Sequence, residues 1–201
     1  MFNFFEDLNI KGHLQICKLD DAGNEEVIFD DKNIIVSGMG VGLAHLFAAS
    51  GSNRITDYQI DRYQIGVAGS LARQVSSTFE LASPLSSMNE YTTNNSGEVI
   101  VVSANQIRNG TLNSTSYYFG KIPFSKITRI DDNSVRYTIV IDKQSCNNLR
   151  TATTYLNEIG LFMKNPRGGS PDGSILVAYR YFSDIRKTTD FALVFRWTLS
   201  F

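Results

Sequence analysis

Cysteine, histidine, proline and tryptophan are scarce in this chain: its 201 residues contain two, two, four and one of them, respectively. Cys17 and Cys146 lie far apart with no further cysteines around them, so no disulfide framework is specified and both thiols are expected to stay reduced. Two histidines and two isolated cysteines do not suggest zinc, and no Asp-x-Asp-x-Asp-Gly loop is present to hold calcium. General acid–base work most often uses histidine, yet His13 alternates along a strand pattern and His45 sits on a helix beside Leu46, where packing or surface roles account for them. The expectation is a non-enzyme that needs no cofactor, metal or nucleotide. A net charge of −1 lacks the basic excess of a nucleic-acid-binding domain. The leading Met1-Phe2-Asn3-Phe4-Phe5-Glu6-Asp7 has neither a basic flank nor a sustained apolar run. Neither a signal peptide nor a membrane anchor is expected, and the reading is a soluble product of a cytoplasm.

A nucleotide site is suggested only by Ile34-Ile35-Val36-Ser37-Gly38-Met39-Gly40-Val41-Gly42-Leu43-Ala44, because a strand, a glycine-rich turn and a helix can cradle a pyrophosphate. The spacing fails. The dinucleotide fingerprint needs glycines at its first, third and sixth positions, but counting from Gly38 the sixth is Leu43, and from Gly40 it is His45. The glycines are expected instead to let a helix start close against a strand.

What the chain has in quantity is strand periodicity. Phe191, Leu193, Phe195, Trp197, Leu199 and Phe201 place a large apolar residue at every second position, the period of a strand with one buried face. Val135, Tyr137, Ile139 and Ile141 repeat the pattern. Ile10 to Leu19 and Glu25 to Phe29 read as two strands joined through Asp20-Asp21-Ala22-Gly23-Asn24, which supplies hairpin turn residues. Asp30-Asp31-Lys32-Asn33 is expected to turn the chain again before Ile34-Ile35-Val36. Further strands are expected at 59–67, 98–103, 116–120, 124–130, 155–163 and 175–182. From Gly42 to Ala49 the spacing of Leu43, Leu46 and Phe47 predicts the clearest helix. The fold class is mainly β: a single domain over 1–201, an antiparallel β-sandwich or barrel-like unit with one short helix and long surface loops. The Ser-, Thr- and Asn-rich stretch within 71–116 is expected to form a loop excursion over the surface.

Read in order, the segments "NEIGLF" (157–162), "ILVAYRYF" (175–182), "IRK" (185–187) and "FRWTLSF" (195–201) resemble the C-terminal end of a group of tailed-bacteriophage virion proteins. The blocks Asn33 to Val36, Gly38 to Phe47 and Tyr63 to Ser70 resemble their N-terminal half. Proteins of that kind occur around the tail, the baseplate, the fibre attachment points and the neck. The resemblance implies a multi-copy structural part of the virion, with other tail or neck proteins as partners and no catalytic site. A carbohydrate-binding receptor-recognition module is the alternative.

Interface and structural candidates follow from these segments. Glu158 is the charged residue inside "NEIGLF", and Arg186, Lys187 and Arg196 are its expected ion-pair partners from neighbouring strands. Trp197 and Phe201 are expected in the core. Tyr117 and Tyr118 are consecutive strand aromatics that point to opposite faces, so one face is expected to meet a neighbouring subunit. Acids dominate early in the chain, with Glu25 and Glu26 among them, and bases are prominent late. That division suits head-to-tail homo-oligomer contacts if the two sets lie on separate faces, and intramolecular pairing if they do not.

Overall fold

The structure, a computed structural model, describes residues 10–48, 54–73, 76–85, 91–93, 99–101, 120–147, 155–165 and 174–201. In chain order the strands are β1 (Lys11–Leu19), β2 (Glu25–Ile35), β3 (Ile60–Gly66), β4 (Tyr91–Thr93), β5 (Val99–Val101), β6 (Gly120–Lys121), β7 (Ile127–Arg129), β8 (Ser134–Ile141), β9 (Leu156–Met163), β10 (Ile175–Ile185) and β11 (Ala192–Ser200). One α-helix, α1 (Gly38–Phe47), is present among the described residues and follows β2. Nine strands make one antiparallel sheet in the order β6-β3-β9-β10-β2-β1-β11-β8-β7, while β4 and β5 pair with each other. The mainly β expectation is met in a specific form, a sheet curled into a half-barrel.

β2 makes the curl possible. Over most of its length it pairs with β1, but its last two residues, Ile34 and Ile35, pair instead with Tyr179 and Ala178 of β10. A strand shared in this way forms the corner between two halves of a sheet. The concave side holds the main core: Leu14, Ile139, Phe195 and Trp197 come from one half, Ile65, Ile159 and Phe182 from the other. Phe182 of β10 bridges the halves, with ring centroids 6.2 Å from Phe29 and 6.0 Å from Phe195. A second cluster of Val36, Leu81, Phe162, Leu176 and Tyr179 accompanies it. β9 contributes to both clusters and is buried almost throughout, so it reads as a near-continuous apolar run.

Three expectations need correction. Asp30-Asp31-Lys32-Asn33 does not turn the chain: β2 runs straight through it, with cross-strand His13 and Arg180 meeting its two carboxylates. The true turn is the preceding one, where Gly23 adopts φ +83° and the Asp20 carboxylate accepts the Asn24 backbone N–H at 2.8 Å. The helix begins at Gly38 rather than Gly42, and a Cβ on Gly38 would strike the Leu176 carbonyl oxygen, so this close start against β10 requires glycine. The expected strand over 124–130 opens as a 3-10 turn at Phe124–Lys126, closed by the Lys126 N–H donating to the Pro123 carbonyl at 2.8 Å.

Part of the 71–116 excursion is a strap bound to the sheet. Thr78, Leu81 and Leu85 are buried. Leu85 N–H donates to the Ile65 carbonyl at 2.9 Å and Val67 N–H to the Ser83 carbonyl at 3.1 Å, so residues 83–85 line the edge of β3 beyond the end of β6. The polar composition that suggested a surface loop reflects a segment held mainly through its backbone.

Candidate functional site

Glu158 is the centre of the strap's attachment. Its side chain is fully buried, and its oxygens accept the backbone N–H of Ala82 at 2.9 Å, the backbone N–H of Ser83 at 2.8 Å and the Tyr179 hydroxyl at 3.0 Å. All three donors are neutral groups converging on one carboxylate, an arrangement in which hydrogen bonds to charge are strongest. Alongside it the Gly69 N–H donates to Asn157 Oδ1 at 2.8 Å, pinning the start of the excursion as well.

The expected ion-pair partners of Glu158 lie elsewhere, and the strand register explains why. Tyr181 stands opposite Glu158 and Ile185 opposite Leu156, so Arg186 and Lys187 fall beyond the start of β9. Arg196 lies on β11, in the other half of the sheet. Arg186 is exposed. Lys187 is buried and its ammonium donates to the carbonyls of Lys143 at 3.2 Å and Thr188 at 2.7 Å and to Asn147 Oδ1 at 3.1 Å, closing the turn after β8. Cys146 within that turn has φ 61°, and burial pushes its thiol up to about 12, which leaves it protonated and a poor nucleophile. Trp197 is fully buried as expected, whereas Phe201 is half exposed because the strand ends at Ser200. Tyr117 and Tyr118 lie outside the described residues.

The early acids and late bases are interleaved within the subunit. Glu25 accepts Arg196 at 2.5 Å, Asp31 accepts Arg180 at 2.6 Å, Asp30 lies 2.6 Å from His13 Nε2 and Glu26 3.7 Å from Lys18, while Asp21 pairs with Lys143. The antiparallel register produces this interleaving by laying the first two strands against the last two, Gln15 opposite both Asp30 and Arg196. These residues are therefore not the separated faces on which charge-steered ring assembly depended.

The ladder also fixes a pH response. The Arg196 hydrogen bond, helped by the charge of the same guanidinium, holds the Glu25 carboxyl below its ordinary 4.5 against the opposing effect of burial. A hydrogen bond from the Lys32 N–H, followed by the charge of Arg180, holds Asp31 below its ordinary 3.8. Folded-state values that are depressed add stability that is complete above the unfolded values and is lost as the pH falls through the folded ones. Glu25→Gln should therefore lower the melting temperature slightly at neutral pH, and the gap from the parent should close as the pH falls below 4.5. A melting-temperature series across that range checks it; a gap that persists in acid would mean that the mutation acts through packing instead.

Sequence reasoning missed Tyr179, the strap amides and two other buried polar groups, Asn33 and Asp61, each of which has one oxygen without a hydrogen-bond partner among the described residues. A polar residue interrupting an apolar strand was the available signal. Asn33 lines an open cleft of about 580 Å³ with Lys11, His13, Lys32 and Ser76, but its side chain packs against Gly12 with the free oxygen turned inward. Among the described residues no three His, Cys, Asp or Glu side chains gather as metal ligands, and no helix is long and apolar enough to cross a membrane. No family model, curated protein or solved structure matches the chain.

Proposed function

We propose that this chain is a non-enzymatic structural component of a tailed-phage virion, present in several copies in the tail, baseplate, fibre-attachment region or neck, where it joins neighbouring virion proteins. The observation that carries the reading is a division of labour between sheet and connections. The segments of the phage-protein resemblance supply β9, β10 and β11, whose side chains are mostly consumed by packing. Large apolar residues outside the sheet are left to solvent: Phe47 84 %, Ile55 81 %, Leu71 71 % and Phe79 69 % exposed. Such side chains on connections, the phenylalanines above all, suit contacts with other proteins, whose interfaces are enriched in aromatic residues.

The partners are other virion proteins and further copies of the chain, and the final location is the particle. Quantitative mass spectrometry of purified particles should find the chain at a fixed multiple copy number, and a density map should place it between two other components. The double variant Phe47→Ala, Phe79→Ala should melt like the parent and fail to enter particles. Particles that lack the chain altogether, or that incorporate the double variant normally, would refute the assignment.

A further inference from the structure

At the edge of the sheet, three backbone segments meet around a pocket of about 340 Å³, bounded by Gln59, Asp61, Lys121, Ile122, Phe124 and Lys164. Its walls are set by the ladder itself: Lys164 N–H donates to the Gln59 carbonyl at 3.0 Å, and Ile122 N–H to the Asp61 carbonyl at 2.7 Å. The cavity is therefore preformed, and its volume lies at the lower end of the roughly 300–1,000 Å³ typical of small-molecule sites.

Asp61 supplies the chemistry. The residue is 3 % exposed. Its Oδ2 pairs with Lys164 Nζ at 3.1 Å, but Oδ1 accepts no hydrogen bond among the described residues. Arg62 Nε approaches Oδ1 to 3.4 Å without the alignment of a hydrogen bond, and the same guanidinium donates to Ser174 Oγ at 2.9 Å, which turns it away. A buried carboxylate oxygen without a donor is unfavourable and fit to receive one. Gln59 and Lys121 also line the pocket and bring to it an amide that both donates and accepts and an ammonium donor. Ile122 is a buried apolar floor, and at the mouth the Phe124 ring is 80 % exposed.

We infer that this pocket binds a hexose-type saccharide, with a sugar hydroxyl donating to Asp61 Oδ1 after a small shift of the side chains that cover it. Neighbouring hydroxyls would be met by Gln59 and Lys121, and the apolar C–H face of the ring would lie on Phe124. A ligand that joins hydroxyl donors to an apolar face matches all of these groups together. Neither a simple anion without a proton to give nor a purely apolar molecule supplies the donor that Oδ1 lacks. This inference goes beyond the structural assignment above, and its test does not depend on whether the chain is part of a virion.

The experiment uses the full chain and a panel of methyl hexosides and N-acetylhexosaminides at millimolar concentration. Saturation-transfer NMR should detect at least one of them, with transfer strongest at the protons of one sugar face. Phe124→Ala, at an exposed position, should leave the melting temperature unchanged and weaken that sugar at least tenfold. Asp61→Asn should weaken it as well, and where that variant proves poorly folded the Phe124 result decides alone. No transfer from any sugar would mean that only water occupies the pocket, and would overturn the inference. Binding that survives Phe124→Ala undiminished would overturn it equally, by placing the sugar elsewhere.

Discussion

Trp197→Ala should cost about 3–5 kcal/mol of stability, the largest effect expected of any single core truncation in the chain. Trp197 is fully buried at the middle of β11, which is hydrogen-bonded on one side to β1 and on the other to β8. It faces Leu14 on one neighbour and Tyr137 on the other, both core residues, so a void there cannot be filled by a shift of one loop. Its indole Nε1 has no hydrogen-bond partner among the described residues. That gives a second, sharper expectation. Trp197→Phe removes an unpartnered donor whose burial costs about 1–3 kcal/mol, and that gain partly offsets the lost volume. Phenylalanine should therefore be tolerated far better than alanine, as read from chemical-denaturation midpoints at constant slope. Deleting residues 196–201 removes Trp197 and Leu199 together with the pairing of β11 to β1 and β8, and should give insoluble protein. A soluble, cooperatively melting truncation would show that β11 is an appendage.

Strands with one buried face were legible from side-chain period alone. β8 buries Tyr137, Ile139 and Ile141 and β11 buries Leu193, Phe195, Trp197 and Leu199, as the alternation predicts, because a one-residue slip would turn the whole apolar set to solvent, while Val135 and Phe191 at the strand starts are half-buried. β2 was legible only in part. Its exposed stretch is acidic, and Asp-Asp-Lys-Asn carries turn chemistry until the cross-strand Arg180 and His13 are in place. The end of β11 shows the converse: apolar alternation continues to Phe201, but Ser200 is the last residue paired, and Phe201 donates its N–H to the Asn133 carbonyl with its side chain half exposed.

The residues of the candidate site were legible as positions and not as partners. Glu158 stands out in an apolar run, yet its partners are two backbone amides and a tyrosine, and a backbone amide leaves no trace in sequence. The charge asymmetry along the chain was real, but antiparallel pairing of the first strands with the last folds the two charge sets onto each other. Asp61 was invisible for a different reason. A lone carboxylate at the start of a strand looks like a solvated edge residue until Ile122 and Lys164 close over it.

Replacing Glu158 should release the strap before it unfolds the sheet. Glu158→Ala leaves the Ala82 and Ser83 N–H groups and the Tyr179 hydroxyl facing a buried space without their acceptor, at about 2–5 kcal/mol once their coupling is allowed for. Glu158→Gln keeps the volume but turns an amide donor toward a site that already holds three donors, so it should rescue little. Tyr179→Phe removes one donor and leaves the carboxylate its two amides, and should cost only about 1–2 kcal/mol. Hydrogen exchange separates this local clamp from a general loss of stability. In both Glu158 variants the amides of residues 82–85 should lose protection by more than the fall in global stability, while those of β8 and β11 follow the global value. The residues freed first include Leu81, whose side chain covers Gly160 of β9, so binding of a hydrophobic dye should rise along with exchange at the strap. Uniform loss of protection across the sheet would show that Glu158 supports the whole fold and does not act as the anchor of one segment. Unchanged exchange at Ala82 and Ser83 would remove it from the attachment altogether.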